Sequence, residues 1–197
     1  MRLVLASGNQ GKVKEIMAYL QPWEVVPYTD VISKMEIEEH GDTFQANAII
    51  KAQAVFEALG DPHAFVIADD SGISVPALGG EPGIYSARYA GEGASDKENL
   101  HKLVAALKRA GLSRTPAFYT CAIAVVAGNG TWTTHGWMHG EAITEPKGDG
   151  GFGYDPMFVP QGYRETIAQL DPAVKECLSH RTKALALARP LLKVLSL

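Results

Sequence analysis

The sequence predicts an α/β protein with a mixed β-sheet flanked by helices. Short apolar stretches of strand type alternate with segments whose apolar residues repeat at helical spacing, a pattern typical of parallel strands covered by helices. Residues 117–127 and 131–141 are two further strand-like stretches separated by a Gly-Asn-Gly turn, which indicates an antiparallel hairpin. The length of 197 residues, without an internal repeat or a linker, predicts one domain.

The first third of the chain is predicted to contain three strands and two helices. Residues 2–6 form a short apolar run that favours a buried strand, and apolar residues at helical spacing predict a helix over 13–20. A second strand is expected at 25–26, a long helix over 43–59 and a third strand over 64–68.

The remaining elements follow from capping and turn signals. Ser95 and Glu98 have the spacing of a capping box, which predicts the start of an amphipathic helix. After the hairpin, residues 148–153 form a glycine-rich loop. Asp171 followed by Pro172 indicates another helix start, and a final apolar helix closes the chain.

Composition and charge exclude several classes of protein. The net charge is −4, so a partner with a nucleic-acid backbone is disfavoured. Two cysteines are too few for a disulfide framework and favour a reduced, cytoplasmic setting. No apolar run is long enough to serve as a signal peptide or to span a membrane, so no membrane partner is expected.

The first candidate site is the turn between the first strand and the first helix. Free backbone N–H groups and the helix dipole at such a turn attract anions, and a lysine in the first helical turn has the wrong charge for that dipole. A bound anion would relieve the conflict, and a plain turn with a solvated lysine is the alternative. The residues of this turn are Ser7, Gly8, Asn9, Gln10, Gly11 and Lys12.

A second candidate is Lys51, which lies inside the apolar stripe of the helix over 43–59. At 100° per residue this stripe contains Phe44, Ala48, Lys51, Val55 and Leu59. A buried lysine must find a counter-charge or lose its proton, unless its stem follows the helix flank into solvent.

Paired carboxylates form the third candidate. Asp69 and Asp70 follow the strand over 64–68, and because side chains alternate along a strand they should point different ways. One can face a site while the other caps the turn. A carboxylate here can bind Mg²⁺ or accept a proton from water. Glu38 and Glu39 could add a second carboxylate, with a solvated acidic loop as the alternative.

Two further candidates lie near the carboxyl end. Glycines at 150, 151 and 153 permit close approach of the backbone to a ligand, and Phe152 between them could stack on a base. Lys175, His180 and Arg181, around the start of the last helix, could donate hydrogen bonds to a carbonyl oxygen, or could simply belong to a charged helix start.

Together these segments resemble the inosine triphosphate pyrophosphatase family, whose members are also called dITP/XTP pyrophosphatases. The resemblance covers nearly the whole chain, and six modest motifs in the family's order make it specific. The motifs are Ser7-Gly8-Asn9-x-x-Lys12, Thr43-Phe44-x-x-Asn47-Ala48-x-x-Lys51, Ala68-Asp69-Asp70-Ser71-Gly72, Gly80-x-Pro82-Gly83-Ile84-Tyr85-Ser86-Ala87-Arg88, Gly151-Phe152-Gly153-Tyr154-Asp155-Pro156 and Ser179-His180-Arg181.

The resemblance implies an elongated mixed sheet in a single bilobal domain over 1–197, with a central cleft, and a homodimer. It implies Mg²⁺-dependent hydrolysis of ITP, dITP and XTP to the monophosphate and pyrophosphate. Asp70 would be the general base and, with Glu38, a metal ligand; Glu39 is adjacent, so the register of the second carboxylate stays open. The residues that would contact substrate are Ser7 to Lys12, Lys51, Ser71, Phe152, Gly153, Tyr154, Asp155, Lys175, His180 and Arg181.

Two rival functions stay open at the level of sequence. One is a pyrophosphatase of related fold that acts on pyrimidine or modified nucleotides. The other is a nucleotide-sensing module that binds without turnover, against which the aspartate pair argues.

Overall fold

The computed structural model describes residues 2–195, and within them six strands form one sheet. The strands are β1 (Arg2–Leu5), β2 (Glu24–Pro27), β3 (Phe65–Ser74), β4 (Arg114–Ala127), β5 (Gly130–Ile143) and β6 (Phe158–Pro160), and their order in the sheet is β2-β1-β3-β4-β5-β6. β1 pairs in parallel with β2 and β3, whereas β5 and β6 are antiparallel. The prediction of a mixed sheet is therefore confirmed.

Five α-helices accompany the sheet in the described part of the chain. They are α1 (Gln10–Tyr19), α2 (Phe44–Leu59), α3 (Asp96–Arg109), α4 (Pro172–Leu178) and α5 (His180–Leu195). Their ends follow the sequence signals: Thr43 caps α2, Gly60 ends it in a left-handed conformation, and Ser95 and Glu98 form the predicted capping box of α3. No helix within residues 2–195 combines the length and the apolar character that crossing a bilayer requires.

Two compact units divide the chain. The first unit comprises residues 1–70, 121–136 and 181–197, and the second comprises 71–120 and 137–180. Each unit has a hydrophobic core of its own. The assignment of residues 1–197 to a single bilobal domain stays a prediction.

The first unit is a helix–sheet–helix sandwich. On one face of the sheet, Leu3, Leu5 and Ile67 pack with side chains of α1 and α5. On the other face, Val4, Val66 and Ala68 pack with side chains of α2. Because successive strand residues alternate between these faces, the helix that a given β3 residue meets is fixed by its position in the strand.

The second unit has a core in which α3 packs on the strands. Leu103 and Leu107 of α3 are fully buried together with Ile73 and Phe158. The apolar stripe that the sequence predicted for this helix is therefore its buried face.

One boundary differs from the prediction in a way that concerns the site. The third strand was expected to end before the aspartate pair, but β3 runs from Phe65 to Ser74 and contains both aspartates. Asp, Ser and Gly are poor strand formers, so the sequence indicated a turn. In the structure this segment stays in the sheet between β1 and β4, and both aspartates form ion pairs there.

Candidate active site

Asp69 and Asp70 are consecutive residues of β3 whose side chains lie on opposite faces of the sheet in the first unit. Asp69 contacts residues of α1 and α5, and Asp70 contacts a residue of α2. Both aspartates are buried. The prediction that the pair would point different ways is confirmed, and strand alternation is the reason.

On the α2 face, one lysine bridges two carboxylates. Nζ of Lys51 lies 3.1 Å from Oε2 of Glu39 and 3.2 Å from Oδ1 of Asp70. The Lys51 side chain is 13% exposed, so it does not reach far into solvent. The predicted counter-charge for this lysine is therefore present twice, and the alternative of a solvated lysine on the helix flank is wrong.

Asn47, one turn before Lys51, holds the loop that carries Glu39. Its Oδ1 accepts a hydrogen bond of 2.8 Å from the backbone N–H of Gly41, and the Asn47 side chain is fully buried. A Cβ at Gly41 would lie 2.7 Å from this oxygen, so glycine permits the approach. The loop is thus fixed against α2, and Glu39 lies within reach of Lys51.

Burial and the neighbouring charges shift the pKa values of Lys51 and Asp70. Burial lowers the pKa of Lys51, but the carboxylates of Asp70, Asp69 and Glu39 outweigh it and hold the pKa above its ordinary value. Burial raises the pKa of Asp70, and Lys51 and Lys12 only partly offset this, because Glu39 and Asp69 oppose them. Lys51 therefore stays charged at neutral pH, and Asp70 is a stronger base than an ordinary aspartate.

On the opposite face, Asp69 is the centre of a second ion-pair cluster. Its Oδ2 lies 3.1 Å from Nζ of Lys12 and accepts a hydrogen bond of 3.3 Å from Nε of Arg181. Nη1 of Arg181 also donates to Oε2 of Glu15 in α1. Asp69 and Arg181, at the centre of this cluster, are buried, whereas the side chains of Lys12 and Glu15 at its edge are 16% and 35% exposed.

These contacts correct two expectations. Asp69 lies within β3 and does not cap a turn. Burial raises the pKa of its carboxyl group, but the charges of Lys12, Arg181 and Lys51 outweigh burial and hold that pKa far below the ordinary range. Lys12, whose charge opposes the dipole of α1, has Asp69 as its counter-charge in the protein itself. A bound anion is therefore not needed to explain that lysine.

The turn before α1 is exposed around its capping residue. Oδ1 of Asn9 accepts a hydrogen bond of 3.1 Å from the backbone N–H of Lys12, and Oγ of Ser7 accepts one of 3.3 Å from the backbone N–H of Asn9. Gly8 and Gln10 are exposed, and Gly11 is half-buried. The start of the helix is therefore organised and accessible to a ligand.

In the second unit, the glycine-rich loop closes around Asp155. Oδ2 of Asp155 accepts a hydrogen bond of 3.0 Å from the backbone N–H of Phe152 and lies 2.9 Å from Nζ of Lys175. The same ammonium lies 4.8 Å from the centre of the half-buried Phe152 ring. The structure thus brings together three of the residues expected around a base.

Glycines give this loop its shape. Gly151 and Gly153 have φ angles of 76° and 63°, which glycine adopts at least cost. A Cβ at Gly151 would lie 2.1 Å from Oδ2 of Asp155, whereas one at Gly153 would meet nothing within 4 Å. Tyr154 is buried, and its hydroxyl donates a hydrogen bond of 2.7 Å to the carbonyl of Ser86.

The remaining expected residues lie at the unit boundaries. His180 is buried and its ring stacks on Tyr119, with 4.7 Å between ring centres and 15° between planes. Ser71, directly after Asp70 in β3, is half-buried and belongs to the second unit.

The α2 face suits a hard divalent cation. Within residues 2–195, no group of three or more His, Cys, Asp or Glu side chains is arranged to hold a metal ion. Among these residues, Oδ2 of Asp70 is a buried oxygen without a hydrogen-bond partner, and Glu39 shares a lysine with Asp70. Mg²⁺ is typically held by one or two carboxylates with water and substrate phosphates, so this donor set fits it.

The sequence left the choice between Glu38 and Glu39 open and gave no indication that Glu15 would pair with Arg181. The Glu38 side chain is exposed, whereas that of Glu39 reaches Lys51. The alternation of half-buried Met35, Ile37 and Glu39 along the loop was the available signal. Glu15 gave no such signal, because its partner Arg181 is 166 positions away in the chain.

The chain is similar over its length to proteins of one family. Residues 3–191 match the Ham1 family. A dITP/XTP pyrophosphatase of Sulfurovum sp. (strain NBC37-1) is 56% identical over 99% of this chain and 95% of its own length. The Ham1 proteins of Staphylococcus aureus and Coxiella burnetii have solved structures with TM-scores of 0.86 and 0.87, at 40% and 39% identity, and the match covers 98% of each chain.

Proposed function

Since the chain belongs to the Ham1 family, we propose that it hydrolyses noncanonical purine nucleoside triphosphates (ITP, dITP and XTP) to the monophosphate and pyrophosphate, which removes them from the nucleotide pool. The observation that carries the proposal is the buried oxygen of Asp70, which lacks a hydrogen-bond partner among the described residues and lies beside a charged lysine. A nucleotide-sensing module without turnover would not need such a base.

The triphosphate would bind to residues of the first unit. The exposed turn from Ser7 to Gly11 offers backbone N–H groups at the start of α1, and Lys12 and Lys51 offer positive charge. As the bond between the α-phosphorus and the bridging oxygen breaks, negative charge develops on pyrophosphate, and fixed cations stabilise it.

Asp70 would act as the general base. A water molecule attacks the α-phosphorus, its proton passes to the Asp70 carboxylate, and pyrophosphate leaves. The raised pKa of Asp70 brings this base closer to neutral pH. Asp70 and a carboxylate of the preceding loop would hold Mg²⁺; the resemblance favours Glu38, whereas the contact with Lys51 favours Glu39. The metal would neutralise phosphate charge and increase the acidity of bound water.

The purine base would be recognised chiefly by the second unit. Phe152 offers an aromatic face, and Gly153, Tyr154 and Asp155 shape the loop around it. Lys175, His180 and Arg181 are the donors proposed for the 6-keto oxygen, and Ser71 is a further substrate contact. Because adenine has an amino group at position 6, it would leave these donors unpaired, a mismatch that can discriminate by about 10⁴ or more.

We also propose a cytoplasmic homodimer without nucleic-acid or membrane partners. The net charge of −4 and the two free cysteines support this setting. Light scattering coupled to size-exclusion chromatography tests the dimer: a mass near 42 kDa is expected for two chains of 21.1 kDa each, and a mass near 21.1 kDa contradicts it.

A substrate panel with one variant tests the reaction. We expect pyrophosphate, not phosphate, from ITP, dITP and XTP with Mg²⁺, and slow turnover of ATP, dUTP and dTTP. Asp70→Asn should reduce kcat by about 10²-fold or more, because a positioned base contributes roughly 10²–10⁴. The exposed Asp30, changed to Asn, is the matched control and should leave kcat unchanged. Preference for dUTP or dTTP would indicate the pyrimidine alternative, and activity of Asp70→Asn within a few-fold of wild type would remove Asp70 from its role.

A further inference from the structure

The ammonium of Lys51 lies where two carboxylates converge. It donates hydrogen bonds to Oε2 of Glu39 at 3.1 Å and to Oδ1 of Asp70 at 3.2 Å. These two carboxylates are also the ones whose geometry suits a divalent cation. A cation bridging them would have to share that position with the ammonium.

We propose that Lys51 competes with the divalent cation for Glu39 and Asp70, so that the protein alone binds the cation weakly and acquires it together with a triphosphate. This inference rests on the proposed function, because it assigns the metal to the same site. When the cation arrives, the Lys51 ammonium turns from the carboxylates to the phosphate oxygens that accompany the metal.

Charge makes the two occupants mutually exclusive. A lysine ammonium ordinarily carries its proton at neutral pH, and that of Lys51 lies within 3.2 Å of both carboxylates. An ammonium and a divalent cation in contact with the same two carboxylates would repel each other strongly at such short range. A triphosphate supplies enough negative charge to hold both cations, and the lysine's flexible four-carbon stem allows the ammonium to move.

The competition is specific to Lys51 because Lys12 pairs with a different carboxylate. Lys12 pairs with Asp69, which faces α1 and α5 rather than α2. Removal of either lysine takes one positive charge from the first unit. Removal of Lys51 takes one cation away from both carboxylates, whereas removal of Lys12 leaves the contacts of Lys51 with them in place, so Lys12 provides a control matched in charge.

Manganese binding in the absence of nucleotide tests the proposal without reference to turnover. Mn²⁺ serves as the paramagnetic probe, and its free concentration is measured by electron paramagnetic resonance at pH 8. Lys51→Met should increase the affinity for Mn²⁺ by about tenfold or more, as expected when a buried competitor for two carboxylates is removed. Lys12→Met should change it by less than about threefold, and Glu39→Gln added to Lys51→Met should abolish the gain.

An affinity that stays unchanged or falls in folded Lys51→Met protein overturns the competition, as does an equal gain in Lys12→Met. The wild-type protein supplies a second measurement, which does not depend on the folding of a variant. The ¹⁵N signal of the Lys51 ammonium should shift on saturation with Mg²⁺ while that of Lys12 stays in place; an unchanged Lys51 signal overturns the proposal. Failure of the proposed function shows separately, as absent pyrophosphate release by wild-type protein.

Discussion

Replacement of Asp69 by asparagine measures what the buried ion-pair cluster contributes to stability. Asparagine keeps the shape of the side chain but removes the charge that faces Lys12 and Arg181 at 3.1 and 3.3 Å. Loss of one partner from a buried ion pair costs about 3–5 kcal/mol. Because Arg181 keeps Glu15 and the Lys12 side chain is 16% exposed, we expect a loss near the lower end, about 3 kcal/mol.

Urea and thermal unfolding provide the assay. For a chain of this length, 1 kcal/mol corresponds to roughly 2–4 °C, so Asp69→Asn should lower Tm by about 6–12 °C. Glu24→Gln is the matched control. Its partner Arg2 is 3.6 Å away, and the two side chains are 52% and 68% exposed, so a loss of at most about 1 kcal/mol is expected.

The stability difference between wild type and Asp69→Asn should also depend on pH in a defined direction. The folded-state pKa of Asp69 is lowered, so its stabilising contribution is complete above the ordinary aspartate pKa of about 3.9 and is lost as pH falls toward the folded-state value. The difference between wild type and Asp69→Asn should therefore persist down to about pH 4 and shrink below it. A loss of stability near pH 7 no larger than that of Glu24→Gln would show that the buried cluster contributes no more than an exposed ion pair.

Two further predictions concern the glycine-rich loop of the second unit and Asp70 as the general base. Gly151→Ala should lower the free energy of unfolding by about 1–2 kcal/mol because of the positive φ alone, and by more because its Cβ would lie 2.1 Å from Oδ2 of Asp155. Gly153→Ala should show only the effect of the positive φ, because its Cβ would meet nothing within 4 Å. Equal losses in the two variants would contradict the contact with Asp155. The acid limb of kcat/KM should lie above the ordinary aspartate pKa, because burial raises the pKa of Asp70 and only the ionised carboxylate accepts a proton; a limb at or below pH 3.9 in a pH–rate profile would contradict this assignment.

The positions of Lys51 and of the two aspartates could be predicted because each depends on local periodicity. Helical phase placed Lys51 within the apolar stripe of α2, and strand alternation sent Asp69 and Asp70 to opposite faces. Such predictions require only the periodicity of side chains along a single helix or strand, and no knowledge of the elements packed against it.

Other features depend on contacts that no local pattern encodes. β3 continues through residues of low strand propensity, and Asp69 and Asp70 form ion pairs there with residues of three separate helices, none of which a local pattern reveals. The segment around Glu38 and Glu39 is neither helix nor strand, so the short alternation of Met35 and Ile37 was the one local indication of its register. The proposed role of Arg181 as a donor to the ligand stays a prediction, but its contacts with Asp69 and Glu15 could not be predicted, because they arise only when distant parts of the chain pack together.

Hydrolysis of ITP in ¹⁸O-labelled water, with products separated for mass spectrometry, shows which phosphorus atom the water attacks. If the activated water attacks the α-phosphorus, the label appears in the phosphate of inosine monophosphate, and pyrophosphate carries none. Label in pyrophosphate, or release of labelled inorganic phosphate with the diphosphate nucleotide, would exclude attack at the α-phosphorus.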